Sequence, residues 1–218
     1  MSVVTEAVRF PSGELTLVGV LHYLDDSKLE GLQPAVAVCH PHPLYGGDME
    51  NNVVVSLCGA LAGAGVTALR FNFRGVGGSD GSHGGGIGER QDARAALDFL
   101  AGLADVDGSH LGLAGYSFGA LVALSAADER VRALVAVSPP AGGLDAASCQ
   151  RGIPTLLVSG DHDDIAQAAR LPEMAASLRP TCETRSVAGA DHFWWGQEET
   201  LATVVLEFFR AQLVVPKR

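Results

Sequence analysis

The sequence predicts an α/β protein built on one mostly parallel sheet with helices on both faces. From residue 35 onward, short apolar runs alternate with longer apolar stretches of helical character. This alternation is typical of βαβ units, in which helices join parallel strands and cover the sheet. The chain also has 27 glycines in 218 residues, an excess over the roughly 7% average that suits tight turns and close helix-to-strand contacts.

The elements follow one another in a simple order. Two strands come first, at residues 3–10 and 15–23, and the Pro-Ser-Gly-Glu turn between them predicts an antiparallel hairpin. The remaining elements are strand 35–39, helix 51–63, strand 66–73, helix 89–103, strand 111–115, helix 118–127, strand 133–138, strand 155–159, helix 166–178, strand 183–187 and helix 197–213. We therefore expect about eight strands. Because no repeat or linker-like stretch divides the chain, we expect a single domain over residues 1–218.

Charge and composition argue against several classes of function. Lys and Arg number 15 and Asp and Glu 25, for a net charge of -10, which repels nucleic acid. Uncharged stretches at residues 51–69 and 109–127 approach the length of a membrane span, but glycines interrupt both, so each is interpreted as a buried helix and strand. The four cysteines lack C-x-x-C spacing and the N-terminal residues do not resemble a signal peptide. These features favour a cytoplasmic protein that binds neither membrane nor nucleic acid.

Residues 115–119 contain the candidate nucleophile. They read Gly-Tyr-Ser-Phe-Gly and match G-x-S-x-G, a sharp strand-to-helix turn that exposes a serine hydroxyl. The glycines are needed because side chains there would clash where the strand and the helix approach each other. Residues 77–81 fit the same pattern. Ser117 follows an apolar strand and precedes a good helix start, whereas Ser79 has neither, so Ser79 is interpreted as an ordinary turn serine.

A serine hydroxyl needs a histidine base, which a carboxylate orients. Where this turn occurs, the order along the chain is serine, acid, histidine. Of the seven histidines, only His162 and His192 follow Ser117. His162 lies within an acidic cluster with no strand between it and the carboxylates. His192, in the loop after the last strand, is therefore the predicted base.

The acid should lie in the loop after strand 155–159. Asp161, Asp163 and Asp164 are the candidates. We favour Asp163, since Asp161 lies closer to the strand and Asp164 could cap a helix that begins near Ile165. The alternative is an acidic turn that only caps this helix.

Acyl transfer also needs hydrogen-bond donors for the oxyanion of its transition state. The backbone N–H of Phe118, at a helix N-terminus, is one candidate. The second should come from the loop after strand 35–39, where two prolines lack an N–H. The amides of His42 and Leu44 and the hydroxyl of Tyr45 remain, and His42 ranks first.

Five motifs together resemble a known family. They are His-Pro-His-Pro with Gly-Gly in residues 40–47, and residues 70–77, 115–120, 160–163 and 191–193. The set resembles the small, lidless bacterial α/β-hydrolases related to dienelactone hydrolase and to the catalytic domain of prolyl oligopeptidase. The resemblance covers the chain from about residue 35 and implies the α/β-hydrolase fold, with Ser117 as nucleophile, Asp163 as acid and His192 as base.

Two positions depart from the family pattern. The acid loop continues with Ile-Ala-Gln at residues 165–167, where relatives often have Val-Pro. Dienelactone hydrolases proper use a cysteine where this chain has Ser117, which argues against dienelactone as the substrate.

The segment after strand 133–138 bears on the substrate. Residues 139–152 leave room for a loop and one short helix, so we expect no lid domain and an open site. An open site disfavours long-chain lipids and favours short or soluble esters. Trp194 and Trp195 are candidates to line an acyl or leaving-group pocket, and core packing is the alternative for each.

We therefore expect a serine hydrolase that cleaves small-molecule carboxylic esters through an acyl-enzyme, with no cofactor and no metal. A peptidase, amidase or thioesterase with the same residues is an alternative, as is a non-catalytic interaction protein on the same fold. His40 and His42 also match a metal signature of some barrel hydrolases, but that barrel takes about 250 residues and no later ligand pair follows. The oligomeric state is left open.

Two arginines in the motif at residues 70–77 have a simpler interpretation than anion binding. Arg70 and Arg74 are expected to form structural pairs with a neighbouring carboxylate such as Asp80 or Glu50.

Overall fold

The computed structural model describes residues 2–25, 31–140, 152–178 and 181–214. The strands are β1 (Ser2–Ser12), β2 (Leu15–Asp25), β3 (Gln33–Cys39), β4 (Thr67–Phe71), β5 (Val106–Tyr116), β6 (Val131–Val137), β7 (Thr155–Gly160) and β8 (Cys182–Val187). The helices are α1 (Asn52–Gly63), α2 (Ile87–Ala101), α3 (Phe118–Ala126), α4 (Leu171–Leu178) and α5 (Glu198–Leu213). Short 3-10 turns lie at Pro43–Tyr45 and Ala168–Arg170.

The eight strands form one sheet in the order β1-β2-β4-β3-β5-β6-β7-β8. The pairs β1 with β2 and β2 with β4 are antiparallel. All strand pairs from β4 through β3 to β8 are parallel. The predicted α/β class, the antiparallel hairpin and the number of strands are therefore confirmed.

Helices cover both faces of the sheet, as predicted, and two hydrophobic cores result. Along β3, Ala35, Ala37 and Cys39 face the core formed with α2, α3 and α4. Val36 and Val38 face the core formed with α1 and α5. Since successive side chains of a strand point to opposite faces, a strand buried on both sides must be apolar throughout. This explains the unbroken apolar run that predicted β3.

Several elements begin elsewhere than the sequence predicts. The predicted strand 111–115 begins five residues earlier, as β5, and the strands predicted from residues 35 and 133 each begin two residues earlier, as β3 and β6. The predicted helix 166–178 begins at Leu171, after the 3-10 turn Ala168–Arg170. Pro172 gives the reason, because proline has no N–H and fits only the first turn of an α-helix. The predicted helix 89–103 lies two residues earlier, as α2.

The ion pairs of the two motif arginines differ from each other. Arg70 pairs with Glu50, as expected. Arg74 pairs with the buried Asp92 of α2, with 2.7 Å between Nη2 and Oδ1. Asp80 is not its partner and accepts instead from the backbone N–H of residue 16.

The two stretches that approach membrane length form α1 with β4, and part of β5 with α3. Among the described residues, no helix is both long and apolar enough to cross a membrane. The segment for which the sequence predicts no lid lies outside the described residues from 141 to 151.

Candidate active site

Ser117 lies between β5 and α3, at the predicted sharp turn. Its backbone has φ 54° and ψ -117°, a left-handed conformation that costs a non-glycine residue of order 1–3 kcal/mol. A Cβ at Gly115 would lie 2.1 Å from the carbonyl oxygen of Gly119, and a Cβ at Gly119 would lie 2.4 Å from those of Cys39 and His40. The two glycines therefore allow α3 to approach both its own strand and the loop after β3.

The structure brings Ser117, His192 and Asp163 together from three separate loops. His192 Nε2 lies 3.1 Å from Ser117 Oγ. His192 Nδ1 lies 3.0 Å from each carboxylate oxygen of Asp163. His192 and Asp163 are buried, whereas Ser117 is partly exposed. The arrangement is that of a nucleophile, a base and an orienting acid.

Asp163 is held in the turn after β7 by several donors. Its carboxylate accepts hydrogen bonds from Ser159 Oγ at 3.0 Å and from the N–H groups of Ile165 and Ala166 at 3.0 and 2.8 Å. Burial raises the pKa of Asp163, but hydrogen bonds from His192, from the Ala166 N–H and from a further serine outweigh burial and hold this pKa at about 2. The group is therefore a carboxylate near neutral pH.

The other two acids of this loop lie away from the histidine. Asp164 is exposed, and no α-helix begins near Ile165 for it to cap, because α4 starts only at Leu171. Asp161 accepts from the N–H of Gly189 at 2.7 Å and so ties the acid loop to the loop after β8. His162 also points to solvent, with 73% of its side chain exposed.

The loop that carries His192 is fixed by its neighbours. The hydroxyl of Tyr116, beside the nucleophile, donates a 2.7 Å hydrogen bond to the backbone carbonyl of His192. Asp191 Oδ1 accepts from the N–H groups of Phe193 and Trp194 at 2.9 and 3.0 Å. The histidine backbone is therefore held both from the nucleophile turn and from within its own loop.

Ser138 and Trp194 form a support that the sequence analysis missed. Both are fully buried, and Trp194 Nε1 donates a 3.0 Å hydrogen bond to Ser138 Oγ. Ser138 in turn is one of the groups that lower the pKa of Asp163 through hydrogen bonding. The only sequence signal was the position of Ser138 directly after β6, at the carboxyl edge of the sheet.

Backbone strain in the described chain is concentrated around this site. Four non-glycine residues have positive φ: Ser117, Ser138, Gln167 and Trp194. The first is the candidate nucleophile, and the Gln167 N–H donates to the carbonyl of Asp163 at 2.9 Å. Strain of this kind persists where surrounding contacts impose it, and it is frequent at functional sites.

The predicted oxyanion donors both border the cavity above Ser117. Within the described ranges, the N–H groups of Phe118 and His42 donate to no other residue. The competing Leu44 amide is occupied, since it donates to His42 Nδ1 at 3.2 Å. The side chain of Tyr45 is largely exposed to solvent.

His40 braces the loop that carries His42. Its Nδ1–H donates to the carbonyl of Pro41 at 2.7 Å, and its Nε2 accepts from the N–H of Phe73 at 3.1 Å. Burial lowers the pKa of His40 to about 4, so the ring is neutral. With both nitrogens engaged, His40 is not available as a metal ligand.

A cavity of about 660 Å³ opens beside Ser117. Its described lining consists of Pro41, His42, Tyr45, Gly46, Gly47, Asn51, Tyr116, Ser117, Phe118, Leu121, Pro140, Ile165, His192 and Phe193. No Asp, Glu, Lys or Arg occurs among these residues. A second cavity, of about 510 Å³, lies at the opposite edge of the sheet by the start of β5, and its described lining has no serine or histidine.

The predicted tryptophan lining is wrong. Trp194 packs in the core and Trp195 is 72% exposed, and neither borders the cavity. Phe193, which stands between them, borders it instead. The reason is the turn at this point, where the positive φ of Trp194 sends its ring inward to Ser138.

Comparisons with known proteins agree with this geometry. The model of the family described as X-Pro dipeptidyl-peptidase (S15 family) matches residues 22–170. An uncharacterized protein of Rickettsia prowazekii is 35% identical over 188 residues, which are 80% of this chain and 78% of that protein.

Two solved structures are similar along almost the whole chain. A serine hydrolase without a lid from Xanthomonas campestris has a TM-score of 0.85 and 30% identity, covering 98% of this chain and 97% of that one. A serine hydrolase homologue from Coxiella burnetii has a TM-score of 0.79 and 32% identity, covering 93% and 96%.

Proposed function

The chain belongs to the X-Pro dipeptidyl-peptidase (S15) family and is a small α/β serine hydrolase of the lidless kind, and we propose that it hydrolyses neutral carboxylic esters through an acyl-enzyme on Ser117. One observation carries the proposal. Ser117 Oγ, His192 and Asp163 are joined by contacts of 3.1 and 3.0 Å beneath an open cavity.

The chemistry follows from which atoms of the three side chains donate a proton and which accept one. Asp163 accepts the Nδ1–H of His192, which leaves Nε2 free to accept the proton of Ser117 Oγ as it attacks the ester carbonyl carbon. The carbonyl oxygen becomes an oxyanion, to which the free N–H groups of Phe118 and His42 donate.

Collapse of this intermediate breaks the bond to the alcohol oxygen. His192 Nε2–H returns its proton to the leaving alkoxide, and an acyl ester on Ser117 remains. Water then attacks the acyl group, with His192 again taking the proton, and the carboxylic acid leaves as Ser117 regains its hydrogen.

The lining of the cavity favours an ester over a dipeptide. A peptide substrate that is recognised by its free N-terminus carries an ammonium group, which needs carboxylate or carbonyl acceptors in the pocket. None of the described lining residues is Asp or Glu. An alcohol is also a better leaving group than an amine. The family match makes an X-Pro dipeptidyl-peptidase the second candidate.

Hydrolysis assays separate the two candidates. We expect turnover of 4-nitrophenyl acetate and butyrate by the wild type, and little release of 4-nitroaniline from an X-Pro dipeptidyl 4-nitroanilide. The reverse preference would establish the peptidase. Ser117→Ala should lose both turnover and labelling by a fluorophosphonate. Ser79→Ala, in the second G-x-S-x-G pattern, is the matched control and should keep both, with circular dichroism to check its fold.

A further inference from the structure

Exposed apolar side chains gather at one end of this molecule. Ten large hydrophobic residues are exposed in the described part of the chain. Six of them lie in the segments that follow strands at the carboxyl end of the sheet, one of them at the start of α2: Leu44, Tyr45, Ile87, Ile165, Phe193 and Trp195. These segments follow four different strands, so distant parts of the sequence contribute to one apolar rim. A concentration of exposed apolar surface marks a binding region.

Three members of this rim border the cavity beside Ser117. They are Tyr45, Ile165 and Phe193, which are 88%, 53% and 54% exposed. Burying exposed apolar surface is favourable, so a ligand that covers these side chains gains binding free energy.

The cavity is also larger than the smallest esters require. Its volume of about 660 Å³ lies in the range of roughly 300–1,000 Å³ that holds drug-sized ligands. An acetyl group leaves most of that space to water. The interior walls, Leu121 and the ring of Phe118, continue the apolar character of the rim.

Aromatic rings connect the rim to the reacting groups. The Tyr45 ring lies 4.9 Å from that of His42, which lies 4.7 Å from that of Phe118. The Phe193 ring lies 5.7 Å from that of His192, edge to face. The rim and the reacting groups are therefore joined by a chain of packed rings, which continues the apolar surface down to His192 and Phe118.

The charges of the cavity and of the whole protein further restrict the class of substrate. The described lining holds no Asp, Glu, Lys or Arg to pair with a charged substituent, and the net charge of -10 opposes the approach of anions.

We propose that the cavity selects esters with a bulky, neutral, apolar substituent, and that Tyr45 and Phe193 are the residues that select it. This inference rests on the proposed ester hydrolysis and narrows its substrate class. It differs from the expectation of short or soluble esters, which rested on the open site alone.

Two ester series test the inference and locate the substituent. The first varies the acyl group of 4-nitrophenyl esters through acetate, butyrate, octanoate and benzoate. The second varies the alcohol of acetate esters through methyl, phenyl and naphthyl. Each kcat/KM is divided by the rate constant of hydroxide hydrolysis. We expect a preference of at least about tenfold for the bulky member over the smallest one in one of the series, the size of effect that apolar pockets deliver.

The chain offers a matched control beside each selecting residue. Tyr45→Ala and Phe193→Ala should lower the preference about tenfold. Leu44→Ala, in the same 3-10 turn, and Trp195→Ala, two residues beyond Phe193, remove side chains that are also exposed but do not border the cavity, and should leave the preference unchanged. The Asn52 hydrogen bond to residue 193 uses the backbone carbonyl, so the alanine variant retains it.

The outcomes are distinguishable. Failure of the wild type to hydrolyse any ester overturns the proposed function itself. Turnover with equal efficiency for small and bulky members of both series leaves that function standing and overturns the inference. A preference that all four variants lower alike, or that none lowers, shows that Tyr45 and Phe193 are not the selecting residues.

Discussion

At the scale of single residues, the fixed orientation of the Asp163 carboxylate is the main determinant of the site. It accepts from two backbone N–H groups, from Ser159 and from His192, and its side chain has no exposed surface. A carboxylate with this many donors stays ionised although it is buried. It can therefore hold the Nδ1–H of His192 in place through the whole reaction.

Replacement of Asp163 by asparagine should preserve the fold and abolish ester hydrolysis. In Asp163→Asn an amide NH₂ can donate to His192 Nδ1. This favours the histidine tautomer with its proton on Nε2, and Nε2 can then no longer accept the proton of Ser117. We expect kcat for ester hydrolysis to fall by about 10⁴-fold. Stopped assays on the purified variant measure it. A loss of less than about tenfold would assign the orienting role to another group.

Ser138 is a positioning residue for this acid, and its removal should act on kcat. Loss of a hydrogen bond to a charged group costs about 1.5–3 kcal/mol, so we expect Ser138→Ala to lower kcat at least about tenfold with KM unchanged. Ser138→Gly, which relieves the positive φ, should show the same loss.

Two comparisons separate this role from a general effect on structure. Ser125→Ala removes a mostly buried hydroxyl that bonds only carbonyls of its own helix, and should keep its kcat. In an Asp163→Asn background, Ser138→Ala should have no further effect. An undiminished kcat in Ser138→Ala, or losses that simply multiply in the double variant, would contradict the positioning role.

At the scale of elements, close backbone approach places α3 against the loop after β3. The Gly119 position faces the carbonyl oxygens of Cys39 and His40, and the same loop presents the N–H of His42 to the cavity. The helix, the nucleophile turn and the oxyanion loop are therefore positioned by one contact that admits no side chain.

A methyl group at this contact should damage both stability and catalysis. Gly119→Ala places a Cβ 2.4 Å from backbone oxygen atoms, and relief of such overpacking costs about 1–3 kcal/mol. We expect a lower free energy of unfolding in urea and a lower kcat. Gly59→Ala is the control, because Gly59 lies in α1 with no heavy atom within 4 Å of its Cβ position. It should be stabilised by roughly 0.5–1 kcal/mol. Equal effects of the two substitutions would contradict the argument.

Elements of this fold could be predicted where local pattern decides them. Apolar runs predicted the central strands β3 to β7, and the turn at residues 115–119 predicted the nucleophile position, since both are local patterns. The hydrogen bond from Trp194 to Ser138 spans 56 residues and depends on how two loops meet at the sheet edge. The pairing of Arg74 with Asp92 and the placement of Phe193 at the cavity depend on packing in the same way. A sequence pattern within a few consecutive residues cannot reveal such contacts.

At the scale of the whole molecule, the two cores enclose histidines that folding keeps neutral. His22 accepts from Arg70 Nε at 2.9 Å, and burial, with the nearby Arg70 charge, lowers its pKa to about 4. Burial lowers the pKa of His40 to about 4 as well. Both groups take up protons in the unfolded chain at a higher pH than in the folded one.

Stability should therefore decline on mild acidification. Between the ordinary histidine pKa of 6.5 and about 4, the unfolded chain binds more protons than the folded one, so the free energy of unfolding falls as pH falls. Urea unfolding at pH 7 and pH 5 measures the difference. His22→Gln should reduce the pH dependence, because it removes one of the two groups. A free energy of unfolding that is constant or rises from pH 7 to pH 5 would contradict the neutral state of these histidines.

The most direct test of the account is to trap the acyl group on its residue. Wild-type protein is mixed with 4-nitrophenyl acetate, quenched in acid during turnover, digested and analysed by mass spectrometry. We expect one acetyl group on the peptide that contains Ser117, and none on that peptide in Ser117→Ala. Acetylation at Ser79 or another residue during turnover, or undiminished turnover by Ser117→Ala, would contradict Ser117 as the nucleophile.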